Sequence, residues 1–141
     1  MIKNTRVDFI VDTKLRDLFD CHLEEVLSQL PQSVHVLLEK VPLHVEDYPS
    51  QQVIKELGLN EDSNLCGVYS GVPLDQRTIE DRPSLPDVVT IYREGIIRLA
   101  AGSAEGLSSD ELRRQIRITL LHELGHHHGF SESDLENLGY G

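Results

Sequence analysis

The sequence is poor in cysteine, methionine and aromatic residues. It has two cysteines, Cys21 and Cys66, a single methionine and no tryptophan, and aromatic residues make up 5% of the chain. Two cysteines so far apart exclude a disulfide framework and a cysteine-based metal site. Each lies in an apolar stretch, and we expect neither to be activated by a histidine or a basic cluster. We therefore predict that both are buried structural thiols.

Basic residues are also few, and long apolar runs are absent. The sequence has 13 lysines and arginines and 24 acidic residues, which gives a net charge of −11 at pH 7. This acidity argues against a nucleic-acid partner, for which a basic patch is the expected footprint. No apolar run approaches the roughly 18 residues of a membrane-spanning helix, and the first residues lack the apolar core of a signal peptide. We expect no nucleic-acid or membrane partner and a cytoplasmic location.

Histidine, in contrast, is concentrated near the C-terminus. Four of the seven histidines lie between His122 and His128, where His122-Glu123-Leu124-Gly125-His126 reads H-E-x-x-H. Residues four apart lie on the same face of a helix, so His122 and His126 can bind one metal ion together. Glu123 lies beside the first ligand, where a carboxylate can take a proton from water on the metal. The motif predicts two metal ligands and a general base.

The residues after the motif supply candidates for a third ligand. Gly129 can adopt the left-handed conformation that ends a helix and turns the chain back. Glu132 then becomes the first choice for the third metal ligand, and Asp134 is its competitor. The alternative is that both acids belong to the first turn of a short final helix, where the helix dipole favours them. His127 and His128 are not expected to bind the metal, because a catalytic zinc site needs only three protein ligands.

A helix is predicted to carry this motif. Ser108 and Glu111 have the spacing of a capping box, so the helix should begin there. Its buried face is predicted to consist of Leu112, Ile116, Leu120, Leu121 and Leu124. The metal ligands would then lie on a rigid element that is anchored by its own core face. A length of 141 residues predicts a single domain over residues 1–141.

The rest of the chain alternates between short elements. Apolar residues at helical spacing from Leu15 to Leu30 predict an N-terminal helix that ends at Pro31, with His22 packed on its apolar face. We predict a helical turn at 34–38, a half-buried strand at 41–45, a brief helix at 50–57 that ends at Gly58, a strand at 65–69, a long loop at 75–87, a strand at 88–92, a strand or helical turn at 96–99 and a loop at 102–106.

With these residues in view, the chain resembles a bacterial family of small zincin-like metallopeptidases. The resemblance is carried by Leu30-Pro31, by the segment Val41 to Asp47 with Pro49, by Gly67 to Leu74, by Val89 to Arg93 and by His122 to Leu135. It implies an α+β, minimal zincin-like fold, in which a small twisted mixed sheet packs on an N-terminal helix and an active-site helix, with a substrate cleft between them. The family more often has Asp at the position of Glu132. The methionine turn of the larger metzincin group is missing, since the only methionine is Met1.

The resemblance and the motif together predict a zinc-dependent metallopeptidase that hydrolyses peptide bonds. Zn²⁺ would be bound by His122, His126 and Glu132, Glu123 would act as the general base, and the substrate would be a peptide or protein. An extended substrate could add to an exposed edge strand, and the strand at 88–92 is the candidate for that edge. Tyr69 and Tyr92 are candidate oxyanion donors, with packing as the alternative role for each.

Two other functions are compatible with the motif. One is a non-catalytic binding or regulatory domain that retains zinc for stability. The other is a metal-dependent endoribonuclease of the small bacterial rRNA-processing type, which also places two histidines four apart on a helix. Those nucleases look different in having a third histidine and no glutamate beside the first ligand. Glu123, Glu132 and the charge of −11 therefore disfavour the nuclease.

Overall fold

The computed structural model describes residues 10–60, 64–70, 87–102 and 107–128, with side chains to Gly125 in the last range. The described residues form an α+β fold of five helices and three strands. In chain order these are α1 (Thr13–Gln29), α2 (Gln32–Lys40), β1 (Leu43–Glu46), α3 (Gln51–Glu56), β2 (Gly67–Ser70), β3 (Val88–Tyr92), α4 (Arg93–Ala100) and α5 (Ser109–His128). The predicted fold class is confirmed. The predicted loop at 75–87 lies almost entirely outside the described residues, as does most of the predicted loop at 102–106.

The three strands form one mixed sheet with β3 in the middle. The strand order is β1-β3-β2; β1 runs parallel to β3, and β2 runs antiparallel to it. The prediction that 88–92 is an edge strand is therefore wrong. Val89, Ile91 and Tyr92 are all buried, which is typical of a strand covered on both faces and paired on both sides. Within the described part of the chain, β1 and β2 are the outer strands.

The N-terminal helix confirms the predicted apolar face. Its first turn is capped by Asp12, whose side chain accepts a hydrogen bond from the backbone N–H of Leu15 at 2.9 Å. Phe19, Leu23 and Val26 are buried, and so is His22, as predicted. Cys21 is exposed, so the prediction that it is buried is wrong. The reason is the helical period, because a residue directly before the buried pair His22 and Leu23 points away from the core.

Helix α5 is built as the sequence predicts. The Ser108 hydroxyl accepts a hydrogen bond from the N–H of Glu111 at 3.1 Å, which caps the helix start. All five residues of the predicted stripe have no exposed surface: Leu112, Ile116, Leu120, Leu121 and Leu124. They pack in one core cluster with residues of α1, β3 and α4. This burial fixes the helix that carries the H-E-x-x-H motif.

The smaller elements agree with the sequence in most places. Leu43 and Val45 of β1 are half-buried while His44 and Glu46 are exposed, which is the predicted alternation. Helix α3 is capped by Ser50 and is followed by Gly58 at a φ of 67°. The segment 96–99, predicted as a strand or helical turn, belongs to α4.

None of the helices in the described ranges has both the length and the apolar character needed to span a membrane. A single domain over 1–141 stays a prediction.

An ion-pair network joins the N-terminal helix to the end of the sheet. Arg93 Nη1 lies 2.8 Å from Oδ1 of Asp47, and its Nη2 lies 2.9 Å from Oδ1 of Asp20. Arg16 Nη2 pairs with the other oxygen of Asp47 at 2.6 Å. The hydrogen bond from Arg16 is the largest of several effects that lower the pKa of Asp47 below its ordinary value. The network ties α1 to the segment after β1 and to the start of α4.

Candidate active site

A cleft lies between α5 and the chain that leads into β2. Its volume is about 350 Å³. From α5 it is lined by Ile118, Thr119, His122 and Glu123, and from the facing segment by residues 64–67, which we call the rim. His122 and Glu123 are both half-buried. The structure thus brings the first predicted metal ligand and the predicted general base to one solvent-accessible cleft.

The remaining predicted ligands lie at or beyond the end of the described chain. His126 belongs to α5, four residues after His122, and the helix runs without a break to His128. This spacing places the Cβ atoms of His122 and His126 on one face of the helix. Glu132 and Asp134 lie outside the described residues. Within the side chains that the structure does describe, no three His, Cys, Asp or Glu residues lie together as a metal-binding group.

The rim approaches α5 most closely at a glycine. Gly67 is buried, and a Cβ atom added there would lie 3.0 Å from Cγ2 of Thr119 and 3.4 Å from Cγ of Glu123. The same Cβ would lie 3.1 Å from the backbone oxygen of Thr90 on β3. A contact of 3.0 Å between two carbons is well inside their optimal separation of about 3.5–4.0 Å. The absence of a side chain at Gly67 therefore allows the sheet to lie directly against Thr119 and Glu123.

Cys66 lines the cleft and also packs against the hydrophobic core. The sequence predicts a buried structural thiol, whereas the structure shows a half-buried one that lines the cleft beside Thr119 and Glu123. Burial raises the pKa of the Cys66 thiol to about 11, against a smaller lowering by a hydrogen bond with Thr119. At neutral pH the thiol is protonated, which agrees with the prediction that it is not a reactive nucleophile.

The two tyrosines considered as oxyanion donors lie elsewhere. Tyr92 is 2% exposed at the end of β3, and burial raises the pKa of its hydroxyl. Tyr69 packs against the hydrophobic core from β2. Among the described residues, neither tyrosine is part of the cleft lining. Packing is the role that these positions support.

A comparison with protein families finds a match that includes all the residues of the cleft. A family model described as zincin-like metallopeptidase matches residues 38–141. The chain belongs to the zincin-like metallopeptidase family. The match covers β1 to β3, α3 to α5 and the whole region of the motif, which confirms the resemblance found in the sequence. A search of curated proteins finds no match. Family membership supports a metallopeptidase type of function and implies a metal, usually zinc, and a peptide substrate.

The described residues suit a divalent metal of this kind. His122 offers an imidazole at the wall of an open cleft, and α5 continues for more than a turn beyond it, so position 126 lies on the same face of the helix. Imidazole and carboxylate ligands are those that zinc accepts. Helix α5, which carries the two histidine positions, is fixed by a fully buried stripe. Side chains held rigidly in this way favour metal binding.

Proposed function

We propose that this protein is a zinc-dependent peptidase that uses Glu123 as its general base. The observation that supports this most strongly is the shared cleft, in which His122 and Glu123 face a chain segment that continues into an outer strand of the sheet. A peptidase of this type needs a metal ligand, a base and a backbone-binding strand around one space. His122, Glu123 and β2 are our candidates for these roles, and all three adjoin one cleft in the described part of the chain.

His122, His126 and Glu132 would bind the zinc ion, with Asp134 as the alternative to Glu132. Two histidines and one carboxylate leave a fourth coordination position open. Zinc in such a site lowers the pKa of a water molecule to about 7 and polarises a carbonyl group. The chain's own contribution is to hold the ligands on a helix that cannot shift without disrupting Leu120, Leu121 and Leu124 in the core.

Glu123 would handle the proton. Its carboxylate accepts a proton from the attacking water and then delivers it to the amine that leaves, so no charge accumulates on the departing nitrogen. The half-buried position of Glu123 in the cleft wall allows it to reach a bound substrate. Removal of the carboxylate should therefore abolish proton transfer without removing a metal ligand.

The rim and β2 would bind the peptide backbone. β2 pairs with β3 on one side and is an outer strand among the strands described. An extended peptide can add to such a strand through main-chain hydrogen bonds. This assigns to β2 the role that the sequence predicts for the strand at 88–92, which β1 and β2 cover on both sides.

The experiment compares Glu123→Gln with a matched control, Glu24→Gln, in which the same change is made at an exposed position on α1. Each zinc-loaded protein is incubated with a peptide library, and products are identified by mass spectrometry. We expect Glu24→Gln to cleave like the wild type and Glu123→Gln to retain zinc but lose about 10²–10⁴-fold in turnover. Equal cleavage by the Glu123→Gln variant would remove Glu123 from the mechanism. A zinc-loaded wild type that cleaves no peptide would favour the non-catalytic zinc-stabilised domain.

A further inference from the structure

We propose that Gly95 and Asn64 are positioning residues that hold the rim at the spacing from Glu123 that a bound peptide requires. The proposal rests on the peptidase function above, because it assigns the rim to substrate binding. Its basis is a pair of close contacts that fix the rim from both sides, one with α4 and one with α5.

On the α4 side, the contact is between Gly95 and Leu65. A Cβ atom added to Gly95 would lie 2.1 Å from the backbone oxygen of Leu65 and 2.7 Å from its backbone carbon. No side chain fits there unless the backbone of the rim moves. Glycine inside a helix costs about 1 kcal/mol relative to alanine, and Gly95 is buried within the eight-residue helix α4. The close approach of the rim explains why a glycine occupies this position in the helix.

Two hydrogen bonds fasten the rim at this contact. Asn64 Nδ2 donates to the backbone oxygen of Gly95 at 3.0 Å. The backbone N–H of Tyr92 donates to the oxygen of Cys66 at 2.8 Å. A helix carbonyl has two lone pairs, so the Gly95 oxygen can accept from Asn64 while it also takes part in the helix. The rim is thus attached to both β3 and α4.

On the α5 side, the rim meets the candidate general base. A Cβ added at Gly67 would lie tightly against Thr119 at 3.0 Å and in contact with Glu123 at 3.4 Å, so β2 packs directly on these side chains. A displacement of the rim away from α4 therefore moves it relative to the face of α5 that carries His122 and Glu123. An added Cβ at Gly95 needs about 1 Å of such movement to reach an ordinary carbon–oxygen contact of about 3.3 Å. Misplacement by about 1 Å can reduce a rate by roughly 100-fold.

The test measures peptide binding at the metal apart from catalysis. The probes are a peptide hydroxamate and acetohydroxamic acid, which offer the same zinc-binding group with and without a peptide backbone. Affinities of both probes and of zinc are measured for zinc-loaded wild type, Gly95→Ala and Asn64→Ala. Gly102→Ala is the matched control, because a Cβ at Gly102 would have its nearest contact at 3.4 Å.

We expect Gly95→Ala to weaken the peptide hydroxamate by about 30-fold, equivalent to about two main-chain hydrogen bonds to the displaced rim, and Asn64→Ala to weaken it by up to about tenfold, since the one hydrogen bond that it removes fastens the rim. Acetohydroxamic acid and zinc should bind both variants as they bind the wild type and Gly102→Ala. Asn64→Ala adds no atom at the contact between the rim and α4. It therefore tests the proposal even if Gly95→Ala fails to fold.

Three results would overturn the proposal. The first is an Asn64→Ala variant that binds the peptide hydroxamate like the wild type. The second is an equal loss for both hydroxamates, which would indicate a general disturbance of the metal site. The third is a wild type that binds the peptide hydroxamate no more tightly than it binds acetohydroxamic acid. Failure of the proposed function has a separate signature, in which the wild type selects the peptide hydroxamate but cleaves no peptide; the positioning role would stand in that case.

Discussion

Gly67 on β2 lies directly against Glu123 on α5, at a distance that would place an added Cβ 3.4 Å from the Cγ of the glutamate. The sheet and the helix thus meet at the residue that the motif identifies as the base. The same Cβ would be tighter against Thr119 Cγ2, at 3.0 Å, and the Thr90 backbone oxygen, at 3.1 Å, so the junction favours a glycine at this position.

The third metal ligand is predicted to be Glu132. Glu132→Ala should weaken zinc binding by about 100-fold, because one ligand accounts for about 3 kcal/mol of the roughly 10–16 kcal/mol of a structural zinc site. Asp134→Ala should leave the affinity within a few-fold of the wild type. Competition with a chromophoric chelator at pH 7 measures both variants. The reverse order of the two affinities would identify Asp134 as the ligand.

Asp47 is predicted to stabilise the fold at neutral pH. Its pKa is lowered from the ordinary value of 3.8 by Arg16 and Arg93, so its contribution is fully present above that value and is lost as the pH falls through the folded pKa. Asp47→Asn should reduce the free energy of unfolding at pH 7 by about 1–2 kcal/mol, after allowance for its partial exposure.

Urea denaturation at several pH values measures this contribution. The difference between Asp47→Asn and the wild type should shrink as the pH falls below 3.8 and through the lowered folded pKa of Asp47, where the wild-type carboxylate also loses its charge. Asp17→Asn is the control, since Asp17 is exposed and acts on Arg16 only through a smaller, long-range attraction. A constant difference at all pH values would show that Asp47 acts through packing and not through its charge.

Cys66 is predicted to react slowly with alkylating reagents. The thiolate is the nucleophile, and a thiol with a pKa of about 11 has about 100-fold less thiolate at pH 8 than one with the ordinary value of 9.0. Iodoacetamide at pH 8 should therefore modify the exposed Cys21 first, as followed by peptide mass mapping. The rate at Cys66 should rise as the pH is raised towards 11. Faster labelling of Cys66 than of Cys21 at pH 8 would contradict this assignment.

The buried face of α5 is predicted to hold the motif in place. Leu120→Ala should reduce the free energy of unfolding by about 2–5 kcal/mol, because it removes a fully buried side chain and leaves a cavity. Leu99→Ala makes the same change at a position that is 50% exposed and should cost much less. Thermal denaturation of both variants measures the difference. Similar melting temperatures would show that α5 is not anchored by this stripe.

Helix α5 could be predicted from the sequence because its signals are local. The capping residues Ser108 and Glu111 and the stripe from Leu112 to Leu124 all lie within one continuous segment, and the structure confirms each of them. The same holds for α1, where the apolar spacing from Leu15 to Leu30 and the proline at position 31 are local signals of the helix and its end. The zinc motif lies in such a segment, which is why the position of the cleft on α5 could be expected.

Relationships between distant segments could not be predicted in this way. The apolar sequence at 88–92 indicates a buried strand. Its central position in the sheet depends on pairing with β1 and β2, which no local pattern encodes. The contact between Gly95 and Leu65 likewise joins segments that are separated by β3. The sequence signal that could have found it is the glycine itself, a poor helix former placed within a helical segment.

The central claim is that His122 and His126 bind one zinc ion on α5, and zinc stoichiometry tests it most directly. Metal-free protein is titrated with Zn²⁺ by isothermal calorimetry, alongside His122→Ala, His126→Ala and, as a control, His44→Ala on the exposed face of β1. The account predicts one zinc per chain for the wild type and for His44→Ala, and at least about 100-fold weaker binding for the other two variants. A wild-type chain that takes up no zinc, or equal affinity in all four proteins, would contradict it.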